Sequence, residues 1–193
     1  MDHALIGMAA GAVAFAANIP YIYSIFKGKT KPNRATWWIW FVLGSIIAMG
    51  YYSVGARDTM WVPITAAIGP FIIALLSLKY GVGGWTRFDR GCIVGAALGL
   101  VLWALFNSPL VALLLLIFVD ALGYLPTMRK ILKEPDSEDR LAWSMFYLSA
   151  IINLFAVGTW TFEIAVYPIY IFLFNSVVMG LLFLYRPSMK AKT

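Results

Sequence analysis

The chain has 193 residues, of which 62% are hydrophobic and only 12% charged, with a mean hydropathy of +0.81. A soluble domain carries roughly 25% charged residues, so a polytopic membrane protein is expected and a soluble globular domain is not. The formal charge of +6 would suit nucleic acid, but the basic residues are placed for membrane topology and no nucleic-acid partner is expected.

A span needs about 20 mostly apolar residues, and seven stretches qualify: 4–26, 34–54, 60–80, 88–106, 109–132, 140–160 and 163–185. The first lacks the basic leader and small-residue cleavage site of a signal peptide, so it reads as a retained span. Asn33, after Pro32, is placed to cap the second span, and Asp58-Thr59 opens the third. The run Gly81-Val82-Gly83-Gly84 ends that third span, because glycine accepts left-handed C-cap geometry. Ser108-Pro109 starts the fifth span as N-cap and first helical residue. The lone Cys92 sits in an apolar segment and reads as a packed thiol.

Lys27, Lys29, Lys31 and Arg34 lie in the first connection, and Lys79, Arg87 and Arg90 in the third. Arg129, Lys130, Lys133 and Arg140 lie in the fifth, and Arg186, Lys190 and Lys192 in the tail. All fall on one side, and only Arg57 lies opposite. The positive-inside rule then puts the N-terminus outside and the C-terminus in the cytoplasm. Short loops favour a prokaryotic plasma (inner) membrane. Trp37, Trp38, Trp85 and Trp143 read as an inner aromatic belt, and Trp61, Trp103 and Trp160 as an outer one. Trp40 lies one turn deeper than the belt.

Sliding the chain by 106 residues aligns Pro20 with Pro126, Ile25 with Ile131, Lys27 with Lys133 and Arg34 with Arg140. The same shift aligns Trp37 with Trp143 and Ile46 with Ile152. A shift of 105 continues through Asp58 and Glu163, Pro63 and Pro168, Leu76 and Leu181, and Tyr80 and Tyr185. The expected fold is all-α, with seven transmembrane helices in a 3+1+3 parallel-repeat arrangement. Residues 1–80 form the first repeat, 81–108 the linker helix, and 109–193 the second repeat with its tail. Parallel repeats about an axis along the membrane normal occur in transporters.

The segment ALIGMAAGAVAFAANIPYIYSIFKGKTKPN, the FVLG of the second helix and the SLKYG ending the third resemble the PQ-loop superfamily. That superfamily includes the SWEET (MtN3) and SemiSWEET sugar transporters, cystinosin-type exporters and the KDEL receptors. The resemblance covers nearly the whole chain and implies a transport fold and class. Its departures mark a divergent member. The family's Pro-Gln pair is Pro20-Tyr21 in one copy and Pro126-Thr127 in the other. The second and sixth helices lack the SWEET prolines. Pro63-Ile64 and Pro168-Ile169 stand where a sugar-binding asparagine would follow proline. No sugar specificity carries over.

Asp120 lies near the middle of the fifth span, where a carboxylate costs roughly 2.5–3.5 kcal/mol on insertion scales. It is therefore expected to face a cavity. At 1.5 Å per residue, Asn18 and Asn175 come close to the same depth and Asn153 lies somewhat outward. Asn18, Asn153, Asn175, Asp120 and Trp40 form the candidate substrate site. Asp120 is either a protonatable coupling group or the partner of a cationic substrate. Its repeat counterpart is Ala14, so this chemistry is one-sided. Pro20 and Pro126 are candidate hinges, since proline removes a backbone donor and bends a helix.

The expected function is secondary transport of a small polar solute, sugar or amino-acid-like, by alternating access, with proton coupling through Asp120. The alternative is a KDEL-receptor-like sorting receptor, but no lysine or arginine lies in a helix centre. An intramembrane enzyme would need a nucleophile–base pair or metal ligands. The only histidine is His3 and the only cysteine Cys92, so neither catalysis nor a metal nor a cofactor is expected. The expected partners are the solute, protons and the lipid bilayer, with homo-oligomerisation open.

Overall fold

The computed structural model describes residues 2–53, 61–84, 86–106 and 109–184. Within them lie seven α-helices: α1 His3–Phe26, α2 Arg34–Ser53, α3 Trp61–Tyr80, α4 Arg87–Leu105, α5 Pro109–Lys133, α6 Arg140–Phe155 and α7 Phe162–Phe183. A short 3-10 turn, Pro135–Ser137, stands between α5 and α6. No strand forms among the described residues. A single bridge between Asn33 and Val82 ties the first connection to the end of α3. Asp58, Arg57, Trp85, Ser108, Tyr185 and the basic tail residues Arg186, Lys190 and Lys192 lie outside the described residues.

Four helices are long and apolar enough to cross a bilayer: His3–Phe26, Arg87–Leu105, Leu110–Lys133 and Ile164–Phe183. The apolar stretches Arg34–Ile47, Ala67–Tyr80 and Arg140–Phe155 are shorter. Ile19, Leu98, Val101, Leu173 and Val177 face outward, each more than half exposed. In water such a surface would be costly; in lipid it is at home. These features mark a helical membrane protein.

Helix boundaries follow local chemistry. The Asp2 carboxylate accepts from the backbone N–H groups of Ala4 and Leu5 at the start of α1. Asn33 Oδ1 accepts from Thr36 N at 3.3 Å, which caps α2. Thr86 and Asp89 form a reciprocal capping box at α4. After α3, Gly83 and Gly84 take φ values of 69° and 86°, so glycine is needed to turn the chain. The sixth helix departs from expectation. It ends at Phe155, where the Ala156 N–H donates to the Asn153 carbonyl and the Val157 N–H to that of Leu154. Gly158 follows closely. Sixteen residues make about 24 Å of helix, short of a hydrocarbon core of about 30 Å.

Packing is specific. Helix α1 lies against α6 and α3, and α2 against α3, α5 and α4. Helix α5 also contacts α4 and α7, and α6 contacts α7. Among the described residues α4 touches only α2 and α5 of the helices. Cys92 is buried there with Ile39, Leu43, Ala96 and Val119. The main core gathers Tyr21, Ile25, Trp37, Ile73, Tyr124, Ile131, Trp143, Tyr170 and Leu182.

The belt assignment fails for two tryptophans. Trp37 and Trp143 are 1% and 2% exposed, deep in this core. Their indole N–H groups are satisfied inside the protein, by Tyr21 Oη at 3.3 Å and Glu138 Oε2 at 3.0 Å. An aromatic with a partnered polar handle has no need of the headgroup layer. Trp160, 62% exposed, keeps an outward position.

Candidate functional site

A cavity of about 580 Å³ lies among α1, α2, α3, α5, α6 and α7, with no described contribution from α4. Asn18, Trp40, Asp120 and Asn175 all line it. Asn153 does not; it sits in the last turn of α6, where its carbonyl serves the helix end.

Asp120 is 7% exposed, and its Oδ2 has no hydrogen-bond partner. Asn18 donates Nδ2 to the carbonyls of Ala14 and Phe15, at 3.2 and 2.9 Å. Those carbonyls can only accept, so the amide orientation is fixed and Oδ1 is left unpartnered. Asn175 behaves likewise. Its Nδ2 donates to Ile171 O at 2.9 Å and to Tyr124 Oη at 3.0 Å, and its Oδ1 is unpartnered. Buried polar atoms are nearly always paired, so three orphan acceptors around one cavity call for a ligand or water.

The rest of the wall mixes aromatic rings with small and aliphatic side chains. The rings of Trp40, Tyr124 and Trp143 lie 4.8, 6.2 and 6.3 Å apart, centroid to centroid. Trp40 Nε1 donates to the Asp120 carbonyl at 3.4 Å, tying α2 to α5 beside the carboxyl group. Two glycines make room for these side chains. A Cβ on Gly123 would stand 2.5 Å from Trp40 Nε1, and one on Gly69 would stand 2.6 Å from Asn18 Oδ1.

Sequence reasoning missed Tyr124, Ser149, Trp37 and Trp143 as cavity residues. Ser149 Oγ donates to Ala10 O at 2.8 Å, joining α6 to α1. The repeat shift itself carried a signal for Tyr124, since 106 residues earlier stands Asn18.

A second polar cluster, wholly unexpected, lies where the cavity meets the basic connections. Glu138 is buried, and its Oε2 accepts from Tyr21 Oη at 2.7 Å and Trp143 Nε1 at 3.0 Å. Its Oε1 faces the Lys130 ammonium at 2.5 Å. Lys130 also donates to the carbonyls of Lys31 and Ser137. Beside it, Thr36 and Thr127 share a hydrogen bond of 2.8 Å between α2 and α5. Lys130, read from the sequence as a charge placed for topology, is a structural cation here. The cluster joins α1, α2, α5 and α6 at one end, and Trp37 and Trp143 bridge it to the cavity.

Pro20 and Pro126 lie within α1 and α5, which remain helical through both. Pro126 is buried and Pro20 half-buried. No group of three or more His, Cys, Asp or Glu suited to a metal occurs among the described residues. Compared with known protein families, curated proteins and solved structures, the chain matches none.

Proposed function

We propose that this chain is a secondary transporter, built from two three-helix repeats, that carries a small polar solute through the central cavity by alternating access. The observation that carries this reading is the composition of the cavity wall. Under the repeat shift, lining residues map onto lining residues: Ala14 onto Asp120, Asn18 onto Tyr124, Trp37 onto Trp143, Trp40 onto Phe146 and Leu43 onto Ser149. With the shift of 105, Pro70 maps onto Asn175. Helix contacts behave the same way. Exchanging α1 with α5, α2 with α6 and α3 with α7 turns α1–α6 into α5–α2, α1–α3 into α5–α7, and α2–α3 into α6–α7. A cavity on a pseudo-two-fold axis between parallel repeats is where such transporters hold their solute.

The lining residues of α1 come from its first two thirds, and those of α2 reach Ile47. The cavity thus extends away from the basic connections, while the Glu138 cluster stands at the basic end. This is the arrangement expected of an outward-facing state with its cytoplasmic gate shut. Opening would separate α1 from α6 at that end, with Pro20 and Pro126 as the bends that allow it. The PQ-loop resemblance fits this reading, as does an N-terminus outside and a C-terminus in the cytoplasm of a prokaryotic inner membrane. A receptor for acidic peptides would want a basic cavity, and no lysine or arginine lines this one among the described residues.

Asp120 is the group available for proton coupling. The test is uptake into proteoliposomes with an imposed pH gradient. Gradient-driven uptake should vanish in Asp120→Asn. Unchanged coupled uptake would remove the proton role, and no exchange of any solute by the wild type would remove the transport reading.

A further inference from the structure

The cavity wall has a one-sided hydrogen-bonding capacity. Its unpartnered oxygens, Asp120 Oδ2, Asn18 Oδ1 and Asn175 Oδ1, are all acceptors. Its donors are already spent. The Asn18 amide serves Ala14 and Phe15, the Asn175 amide serves Ile171 and Tyr124, and the Trp40 indole serves Asp120 O. The Trp37 and Trp143 indoles point to Tyr21 and Glu138, and the Ser149 hydroxyl to Ala10 O. The hydroxyls of Tyr124 and Tyr167 remain as donors on the wall, and the buried, unpartnered hydroxyl of Tyr170 stands near Asp120 behind it.

A solute bearing a carboxylate or phosphate would meet Asp120 and no compensating cation. A sugar, which accepts as often as it donates, would leave most of its own oxygens unmatched. A donor-rich cation fits both the orphan acceptors and the single carboxylate. The aromatic wall fits it too, because indole and phenol faces attract a cation and are most effective away from water. A space of about 580 Å³ is ample for such a molecule.

We propose that the cavity binds a small organic ammonium ion lacking a carboxylate, with Asp120 as its counter-ion, Asn18 and Asn175 as acceptors, and Trp40 and Tyr124 as the aromatic wall. This rests on the reading of the cavity as a solute site, and the experiment separates the two. Detergent-purified protein is titrated with ethanolamine, butylamine, glucose and alanine. The readout is intrinsic tryptophan fluorescence, since Trp37, Trp40 and Trp143 line the cavity. Ethanolamine or butylamine should give a saturable change, and glucose and alanine none at the same concentrations. Asp120→Asn should weaken amine binding at least tenfold. Trp40→Leu should weaken it severalfold while leaving the carboxyl in place. Saturable binding of glucose or alanine without the amines would overturn the ammonium assignment and keep the solute site. Equal amine affinity in wild type and in folded Asp120→Asn would also overturn it. Binding of none of the four would overturn it together with the solute-site reading. The wild-type titrations decide the matter even where a variant fails to fold.

Discussion

The buried pair between Lys130 and Glu138 supports a prediction that can be worked from its geometry. The Glu138 side chain is 0% exposed and that of Lys130 7%. Replacing Glu138 by Gln preserves shape and leaves an amide oxygen to accept from Tyr21 and Trp143. What disappears is the negative charge facing Lys130. The ammonium is then left with two neutral carbonyls, those of Lys31 and Ser137. Removing one partner of a buried pair costs about 3–5 kcal/mol, because the other charge stays desolvated and uncompensated. For a chain of this size each kcal/mol lowers Tm by roughly 2–4 °C, so Glu138→Gln should fall by roughly 6–20 °C. Lys130→Met combined with Glu138→Gln removes the stranded charge, and it should recover more than half of that loss. The assay is thermal unfolding in mild detergent, followed through the emission of the buried tryptophans. A fall below about 1 kcal/mol in the single variant, or a double variant as damaged as both singles together, would refute the reasoning.

Three further outcomes follow from the same coordinates. Gly123→Ala places a methyl group 2.5 Å from Trp40 Nε1; solute affinity should fall at least tenfold with the fold retained, as checked by ligand titration beside circular dichroism. Gly83→Ala combines a φ of 69° with a Cβ only 2.5 Å from Asn33 Nδ2. It should destabilise by roughly 1–3 kcal/mol, read as a lowered Tm without change in cavity binding. Moving the carboxyl across the repeat axis, as Asp120→Ala with Ala14→Asp, should restore part of the ammonium binding that Asp120→Ala alone abolishes. No restoration in a folded double variant would mean that positions 14 and 120 do not serve one site.

Much of the fold was written in patterns of length and period. Apolar stretches located all seven helices, since lipid demands long runs that satisfy their own backbone. Caps at Asn33 and the glycine turn after α3 were legible because their chemistry is local. Depth along each helix brought Asn18, Trp40, Asp120 and Asn175 to one cavity. What was not legible depends on partners far apart in the chain. Glu138 looked like one more charge in a hydrophilic connection. Its burial is produced by Tyr21, 117 residues away, and by Lys130 and Trp143 on the flanking helices. Trp37 and Trp143 were misassigned for the same reason, because boundary depth suits a headgroup anchor and a buried donor equally. Asn153 failed differently. It was judged by depth alone, yet the helix stops two residues later.

Several positions that match between the halves are packed inside the protein, while some that differ carry polar chemistry. Pro20 and Pro126, Ile25 and Ile131, and Trp37 and Trp143 are identical across the shift; the prolines lie within α1 and α5, and the other four residues are packed core. Of the many differing pairs, two groups bear on the polar sites. At the cavity they are Ala14 with Asp120, Leu43 with Ser149, and Pro70 with Asn175. At the basic end they are Ser24 with Lys130 and Pro32 with Glu138. Had both cavity positions kept a carboxyl group, two like charges would share one low-dielectric space and favour holding a proton between them. With alanine on one side, the cavity has a single acidic group among the described residues, and aromatic rings make up part of the wall around it. A site of that charge is neutralised by one monovalent cation, and this is why the asymmetry of the halves and the choice of an ammonium solute are one argument.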